Sequence, residues 1–300
     1  TLFAKMTENN PIYHVWTGFE KKFQNPSFTL QGHSISARCT AFYLKEFKIL
    51  FDAGIRCPFL PEFVFISHAH SDHSAQLPLI LTAYTVPKKT QVFVPKGTKQ
   101  NFINLLLAYV RLSNDDSTIE YDEEKASAVF TEVDDNCEFD IEANGSKLHV
   151  KTFETTHKVR SIGYALFSRR NRLKEEFRGK SGSELARARS QGIELSEQFL
   201  APLIAFVGDS TPQWLSNDLF NNYKFPYIIA ECTFVGALED LERARKAAEK
   251  HRHTLWEELQ NDVENRKETT FILSHWSNRY TIEEIESFFE PFENVFPWTW

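Results

Sequence analysis

The sequence has few cysteines, no long apolar run and no excess of positive charge. Its four cysteines, Cys39, Cys57, Cys137 and Cys232, show neither zinc-type nor disulfide-type spacing, so we expect a reducing compartment rather than secretion. No apolar run is long enough to span a membrane and the first residues lack the pattern of a secretion signal, so we expect no membrane partner. A formal net charge of −7 argues against a protein that coats nucleic acid indiscriminately, but it is compatible with a local basic surface.

The composition and the order of apolar segments indicate an α/β protein. The chain has 300 residues, of which 42% are hydrophobic, and this suits one large globular domain or two small ones. Residues 1–26 carry no usable motif, and we interpret them as an N-terminal extension to a domain over residues 27–300. From residue 27 onwards, apolar strand patterns alternate with helical ones, including helices over residues 74–81 and 101–112, as expected when helices cover a sheet.

The most informative stretch is residues 67–73, SHAHSDH, which follows the short apolar strand pattern of residues 63–66. Three imidazoles and a carboxylate this close cannot all be satisfied core residues, because each needs a hydrogen-bond partner or a metal when buried. In an extended segment His68, His70 and Asp72 would point the same way and His73 would turn aside. The spacing therefore predicts the beginnings of two adjacent metal sites. The alternative is a histidine-rich surface loop.

The same event recurs four times further along the chain, where an apolar strand ends and a metal-binding or acid–base residue type follows. The residues at these strand ends are His157, Asp209, Glu231 and His275. A carboxylate such as Asp209, placed after a glycine that permits close backbone approach, can reach two metals at once. Chance placement would not produce this repetition, so we expect these residues to belong to one site.

One segment has a local charge opposite to that of the whole chain. Residues 169–190 contain eight basic residues and three acidic ones, which gives 8 − 3 = +5. Such a segment favours binding to an RNA backbone, because cationic side chains displace counterions from phosphates. The alternative is a solvated pair of helices. The basic residues are Arg169, Arg170, Arg172, Lys174, Arg178, Lys180, Arg187 and Arg189.

These motifs together resemble the tRNase Z branch of the metallo-β-lactamase superfamily. The resemblance is carried by HxHxDH at residues 68–73, S-x-G-Y at 161–164, GDST at 208–211, ECTF at 231–234 and HWSNRY at 275–280. It implies an αββα sandwich with one or two metals, in which Asp52 supports the metal-binding loop. It extends over roughly residues 27–290.

The resemblance also implies a role for each site residue. One Zn²⁺ would be held by His68, His70 and His157, and a second by Asp72, His73 and His275, with Asp209 bridging them; Mn²⁺ could replace zinc. Asp72, Glu231 and His253 would be the catalytic residues, with Glu231 orienting His253 as the proton donor and His251 as the alternative donor. Ser277 and Arg279 would bind the scissile phosphate.

The basic segment is similar to the tRNA-binding arm of the short, plant-type enzymes, here spanning about residues 168–200. By this resemblance Arg169, Arg170, Arg172, Lys174, Arg178 and Lys180 would grip the tRNA elbow. The implied function is a homodimeric zinc endoribonuclease that removes the 3′ trailer of precursor tRNA with a metal-bridging hydroxide. We expect it in the cytoplasm, with the nucleus and organelles left open. Alternatives on the same fold are a cyclic-nucleotide phosphodiesterase, a broad hydrolase that includes β-lactams, and a catalytically silent homologue.

Overall fold

The structure, a computed structural model, describes residue 16, residues 20–82 and residues 89–299. Most of the expected N-terminal extension and the C-terminal Trp300 lie outside these residues. The last part of the extension forms an edge strand, Glu20–Gln24, that pairs with the strand beginning at Ser27. Among the described helices, none combines the length and the apolar character that crossing a bilayer requires.

The described strands form two seven-stranded sheets, each with its strands in chain order. The strands are β1 Glu20–Gln24, β2 Ser27–Ile35, β3 Cys39–Leu44, β4 Ile49–Phe51, β5 Phe63–Phe65, β6 Thr90–Pro95, β7 Ala128–Val133, β8 Glu138–Ala143, β9 Ser146–Thr155, β10 Ser161–Leu173, β11 Ser196–Phe206, β12 Tyr227–Glu231, β13 Thr270–Ser274 and β14 Val295–Pro297. The helices are α1 Ser71–Ser74, α2 Leu77–Thr82, α3 Lys99–Asn114, α4 Gly182–Ser190, α5 Asp218–Asn222, α6 Leu241–His251, α7 Trp256–Asn265 and α8 Ile282–Phe289.

The two halves of the chain repeat one topology. In each sheet the first four strands pair antiparallel and the last four pair parallel. A parallel pair needs a crossover connection, and the helices supply most of these connections on the outer faces. The predicted αββα sandwich is therefore confirmed.

Aromatic side chains fill the space between the two sheets. Phe42 and Phe51 of the first sheet contact Phe206 of the second, with ring centroids 6.2 and 4.8 Å apart. Trp298, near the C-terminus, is buried in the same core and donates its indole N–H to the carbonyl oxygen of Gly32 at 3.2 Å. Each sheet also packs against its own helices through one further apolar cluster. The sheets are thus held face to face, which fixes the relative position of their edges.

Two local predictions around the histidine motif were wrong. The helix expected over residues 74–81 is two helices, α1 and α2, and α1 already begins at Ser71. Asp72 is therefore in a helical turn rather than in an extended segment, so the alternation of an extended strand does not set the direction of its side chain. A four-residue helix shows no hydrophobic periodicity, so the sequence pattern could not reveal it. The helix expected over residues 101–112 is confirmed as the core of α3.

The chemistry-bearing residues share one edge of the sandwich. Parallel strands β4, β5, β11, β12 and β13 all end there, and this is the edge at which open α/β sheets usually bind ligands. The residues at or just after these strand ends are Asp52, His68, His70, Asp209, Glu231 and His275. His157, which follows β9, lies at the same edge.

The basic segment lies at the opposite end of strands β10 and β11. Strand β10 pairs with β9 only as far as Ser168, whereas its pairing with β11 continues to Leu173. The two strands therefore extend past the sheet as a ribbon, and α4 lies at its tip. A capping box between Ser181 and Glu184 begins this helix.

Gly54, just after β4, allows a close backbone approach that no other residue permits. A Cβ atom at this position would lie 1.7 Å from the carbonyl oxygen of Asp72 and 2.7 Å from the amide nitrogen of Thr40. Both neighbours are backbone atoms, so they cannot move as a flexible side chain would. The contact holds the histidine motif against strand β3.

We expect Gly54→Ala to lower the free energy of unfolding by about 3 kcal/mol, because the added methyl group forces the backbone of Asp72 to shift. Urea unfolding monitored by circular dichroism measures this change. Gly182→Ala is the matched control, since a Cβ at Gly182 meets no atom within 4 Å. Equal stability of the two variants would contradict the prediction.

Candidate metal centre

Three histidines from two different sheets converge at the shared edge. Nε2 of His68 lies 3.1 Å from Nδ1 of His70, and Nε2 of His157 lies 3.2 Å from the same Nδ1 atom. Nitrogen ligands of one tetrahedral zinc ion lie roughly 3.3 Å apart, given Zn–N distances of 2.0–2.1 Å. The spacing of these three nitrogens therefore suits a single ion.

A second group lies beside the first and contains two histidines and two aspartates. Nε2 of His275 is 3.5 Å from Oδ2 of Asp72, and Nε2 of His73 is 3.8 Å from the same oxygen. The ligand atoms of Asp72, His73, Asp209 and His275 all lie within 4.8 Å of one another. This is the Asp/His pair that the sequence pattern predicted next to the two leading histidines.

Asp209 lies between the two groups. Its Oδ1 is 3.3 Å from Nε2 of His73, and its Oδ2 is 3.5 Å from Nε2 of His275 and 3.8 Å from Nε2 of His68. Burial works against the charge of Asp209, but His275 and His73 outweigh it and hold its pKa well below the usual range. The carboxylate is thus ionised and within reach of both groups.

Hydrogen bonds on the outer side of the rings fix which nitrogen carries the proton. Nδ1 of His73 lies 2.6 Å from Oδ2 of Asp52, and Nδ1 of His157 lies 3.0 Å from the carbonyl oxygen of Arg252. Oδ2 of Asp52 also accepts from the hydroxyl of Ser67, and a carbonyl can only accept, so we assign the donating proton to Nδ1 in both rings. In the neutral rings the lone pair is then on Nε2, which points into the centre.

Hydroxyl groups determine in the same way which nitrogen of His68 and of His275 carries the proton. Ser67 donates its hydroxyl to Asp52 at 2.8 Å, so its oxygen is left to accept from Nδ1 of His68 at 3.0 Å. Thr233 donates its hydroxyl to Glu231 at 2.6 Å and accepts from Nδ1 of His275 at 2.9 Å. In their neutral forms all four rings would therefore present an Nε2 lone pair to one volume, an arrangement in which imidazoles serve as metal ligands.

The buried polar atoms of the centre fit a bound metal. Nε2 of His73 and Nε2 of His275 are buried and have no hydrogen-bond partner, which is costly unless another group satisfies them. Imidazole nitrogens and carboxylate oxygens are also the ligand types that zinc prefers. The residues present therefore suit a divalent metal ion in each group.

Several residues at this edge have left-handed backbone. Asp52 has φ +58°, His275 has φ +65° and Gly208 has φ +70°, all in the left-handed region. A Cβ on Gly208 would also lie 2.5 Å from Cβ of Ser67, so glycine is required there on two grounds. Left-handed backbone at non-glycine residues costs about 1–3 kcal/mol each and is found where function demands it.

Of the two candidate proton donors, His253 is the one in contact with Glu231. Its Nδ1 donates to Oε1 of Glu231 at 2.7 Å. Burial favours the neutral ring, but the Glu231 carboxylate outweighs it and raises the pKa of His253 to about 9. His251 is exposed and contacts Nζ of Lys158 instead. This arrangement keeps a proton on His253 at neutral pH.

The expected phosphate-binding residues lie after β13, outside the two metal-binding groups. Arg279 is partly exposed and pairs with Oε2 of Glu239 at 3.0 Å, while its guanidinium stacks over the Phe234 ring at 5.4 Å. Ser277 is anchored through its backbone N–H, which donates to the carbonyl oxygen of Thr233 at 3.1 Å. The sequence analysis missed Glu239, because no local pattern indicates its contact with Arg279, which lies 40 residues further along the chain.

Half of the expected arm residues are paired with acidic groups. Arg169 pairs with Asp140, Arg172 with Glu197 and Arg178 with Glu175, at 2.7, 2.8 and 2.9 Å respectively. Arg170, Lys174 and Lys180 have no ion pair with any residue that the structure describes, and Nζ of Lys180 lies over the ring of Phe177. Among the six expected arm residues, these three cations are therefore available to an anionic partner.

Comparison with known proteins supports the resemblance drawn from the motifs. The tRNase Z TRZ1 of Arabidopsis thaliana is 29% identical over 89% of this chain and 91% of its own length. The crystal structure of the short form of human tRNase Z superposes with a TM-score of 0.50 and 14% identity, covering 83% of this chain and 92% of that one. The metallo-β-lactamase fold protein YhfI of Bacillus subtilis gives a TM-score of 0.50 and 13% identity, over 90% and 87% of the two chains.

No protein-family model matches the chain. The fold is nevertheless the metallo-β-lactamase fold, since the solved structures share it over most of their length. The predicted resemblance to the tRNase Z proteins is confirmed.

The Thr233 hydroxyl provides a test of the outer hydrogen bonds. Thr233→Val keeps the shape of the side chain but removes the acceptor for Nδ1 of His275, so we expect zinc affinity to fall by roughly 10–100-fold. Competition titration with a chromophoric chelator measures it. Thr233→Val also removes the hydrogen bond to Glu231. The control is Thr269→Val, which removes a buried hydrogen bond, that to Phe225, outside the centre. A similar loss of affinity in both variants would argue against the role of Thr233.

Proposed function

We propose that this protein is a metal-dependent endoribonuclease that removes the 3′ trailer of precursor tRNA, cutting after the discriminator nucleotide and leaving a 3′-hydroxyl. The convergence of seven metal-binding side chains at one sheet edge carries the proposal of hydrolytic chemistry. The similarity to tRNase Z proteins over most of the chain supports tRNA as the substrate. Four free cysteines support a reducing compartment, and we propose the cytoplasm.

In this proposal His68, His70 and His157 hold one metal ion, and Asp72, His73 and His275 hold another, with Asp209 shared. We propose zinc, two ions per subunit, with manganese as the alternative. When bound, the pair supplies an activated water nucleophile and stabilises negative charge on the phosphoryl oxygens. The remaining steps belong to the side chains of the protein.

His253 is the proposed proton donor to the leaving oxygen. Its contact with Glu231 keeps the ring protonated and leaves Nε2 to face the substrate. Glu231 is itself held in place, since it accepts from the backbone N–H groups of Ser210 at 3.1 Å and Thr233 at 3.0 Å. The donor is therefore oriented before the substrate binds.

Arg279 is the proposed ligand for the scissile phosphate, together with Ser277. One terminal nitrogen of the guanidinium contacts Glu239, which leaves the other donors of the planar fork for phosphate oxygens. Glu239 also accepts from the hydroxyl of Tyr280. The phosphate would thus meet an arginine whose orientation is already restricted.

We further propose that the ribbon of β10 and β11, with α4, grips the substrate from a distance and that the protein acts as a homodimer. From Ser161 beside the metal centre to Leu173 at the ribbon end, an extended strand covers roughly 40 Å. This separation supports a division of labour in which the arm of one subunit presents RNA to the metal centre of its partner.

The main proposal is tested with a 3′-extended precursor tRNA and bis(p-nitrophenyl) phosphate as a small diester. We expect cleavage after the discriminator nucleotide, loss of cleavage on chelation and recovery with zinc or manganese. Asp209→Ala should reduce both activities to the level of the chelated sample, because both metal-binding groups lose their shared carboxylate. Hydrolysis of the small diester with the tRNA left intact would instead point to cyclic nucleotides or β-lactams as substrates. Inactivity of the zinc-loaded protein towards both substrates would favour a silent homologue.

The arm is tested separately with the double variant Arg170→Ala, Lys174→Ala. We expect tRNA to bind roughly 10-fold more weakly and with a salt-dependence slope reduced by about 2, since two phosphate contacts are lost. The kcat for the small diester should not change. The control is Lys96→Ala, Lys125→Ala, which removes two exposed cations from the other half of the molecule. Equal weakening by both double variants would contradict a specific arm.

A further inference from the structure

We propose that Arg252 is a positioning residue that holds His157 in the orientation required of a metal ligand. The inference rests on the proposed metal centre but not on the identity of the substrate. Arg252 is the residue after α6 and directly precedes His253. It binds no metal-facing atom itself and would act only through His157.

Arg252 and His157 are joined by two hydrogen bonds that run in opposite directions. Nδ1 of His157 donates to the carbonyl oxygen of Arg252 at 3.0 Å. The guanidinium of Arg252 donates from NH1 to the carbonyl oxygen of His157 at 2.9 Å. The first bond fixes the ring and its tautomer, and the second fixes the backbone that carries the ring. Together they leave His157 little freedom to rotate away from His68 and His70.

The left-handed backbone of Arg252 supports a specific role for its side chain. Arg252 ends α6 in the left-handed region, with φ +56° and its N–H directed to the carbonyl oxygens of Ala248 and Glu249. Glycine is the residue best suited to this position, because a side chain there adds steric strain. An arginine at such a position calls for a compensating interaction, and its bond to His157 supplies one.

His157 depends on this contact more than the other histidines of its group. His68 and His70 share one short loop, whereas His157 comes from the other sheet. Upstream of His157, Thr156 is held by the hydroxyl of Ser210, to which its N–H donates at 2.9 Å. Within the part of the chain that the structure describes, His157 makes its hydrogen bonds on the side away from the metal centre to Arg252.

The contact also relates His157 to the proposed proton donor. The neighbouring His253 is bound to Glu231, and the ring centroids of His157 and His253 are 5.0 Å apart. The end of α6 thus connects a metal ligand on one side to the proton donor on the other. A shift at residue 252 would change both the first metal group and its distance from the donor.

The decisive variant is Arg252→Gly, which keeps the carbonyl acceptor and relieves the left-handed strain but removes the guanidinium. We expect its urea midpoint to equal or exceed that of the wild type, while the affinity for one of the two zinc ions, the one proposed to be held by His68, His70 and His157, falls about 10-fold. The kcat for the small diester should fall with it. Arg252→Lys retains one donor and should recover part of the affinity.

The matched control is Asp115→Gly. Asp115 ends α3 in the same left-handed conformation, with φ +51° and its N–H directed to the carbonyl oxygens of Arg111 and Leu112, and it lies away from the metal centre. It should show a similar gain in stability with unchanged zinc affinity and unchanged kcat.

Zinc affinity is measured by chelator competition, which needs no tRNA. The test of the positioning role is therefore independent of the test of the substrate. Wild-type zinc affinity in Arg252→Gly would overturn the positioning role and leave the nuclease proposal intact. A wild-type protein that binds zinc but spares precursor tRNA would overturn the substrate assignment and leave the positioning role standing. Weakened zinc binding confined to the Arg252 variants supports the inference.

Discussion

The hydrogen bonds of the buried carboxyl group of Asp52 are the interactions on which the candidate metal centre depends. It accepts from the backbone N–H of Ser67 at 2.7 Å, from the hydroxyl of Ser67 at 2.8 Å and from Nδ1 of His73 at 2.6 Å. Burial raises the pKa of this carboxyl, and these donors act against that rise. One side chain at the end of β4 therefore ties together the end of β5 and the start of α1, from which His68, His70, Asp72 and His73 all come.

The C-terminal half repeats this arrangement with Glu231 at the end of β12. That carboxylate is also buried, and it too accepts from backbone N–H groups, from a hydroxyl at Thr233 and from a histidine, His253. Each half thus places a buried carboxyl group under the shared edge and surrounds it with donors that fix the neighbouring rings. Since removing one donor leaves a buried polar group less well satisfied, the candidate ligands and their supports are energetically coupled.

Sequence patterns predicted the ligand-type residues because they follow strand ends directly, where type and spacing are local properties. To predict His157, Asp209 and His275 as site residues, it was enough to recognise the apolar strand before each of them. The supports could not be predicted in this way. The contact of Arg252 with His157 spans 95 residues and depends on a left-handed backbone at position 252, which no local pattern marks. The start of α1 was also missed, because a helix of four residues is too short to show hydrophobic periodicity.

The geometry of β10 limits how a long substrate can be handled. This strand begins at Ser161, whose hydroxyl donates to the carbonyl oxygen of Asp209 at 3.3 Å, and it ends at Leu173 beneath α4. β10 has one irregularity, between Leu166 and Phe167, but an extended strand of this length still separates its two ends, so the basic tip and the candidate metal centre of one subunit lie far apart. If the tip binds RNA, the same RNA must either span that distance along one subunit or pass to a second. A pair of subunits with opposed strands would satisfy the second condition without any bending of the ribbon, and the proposed homodimer is such a pair.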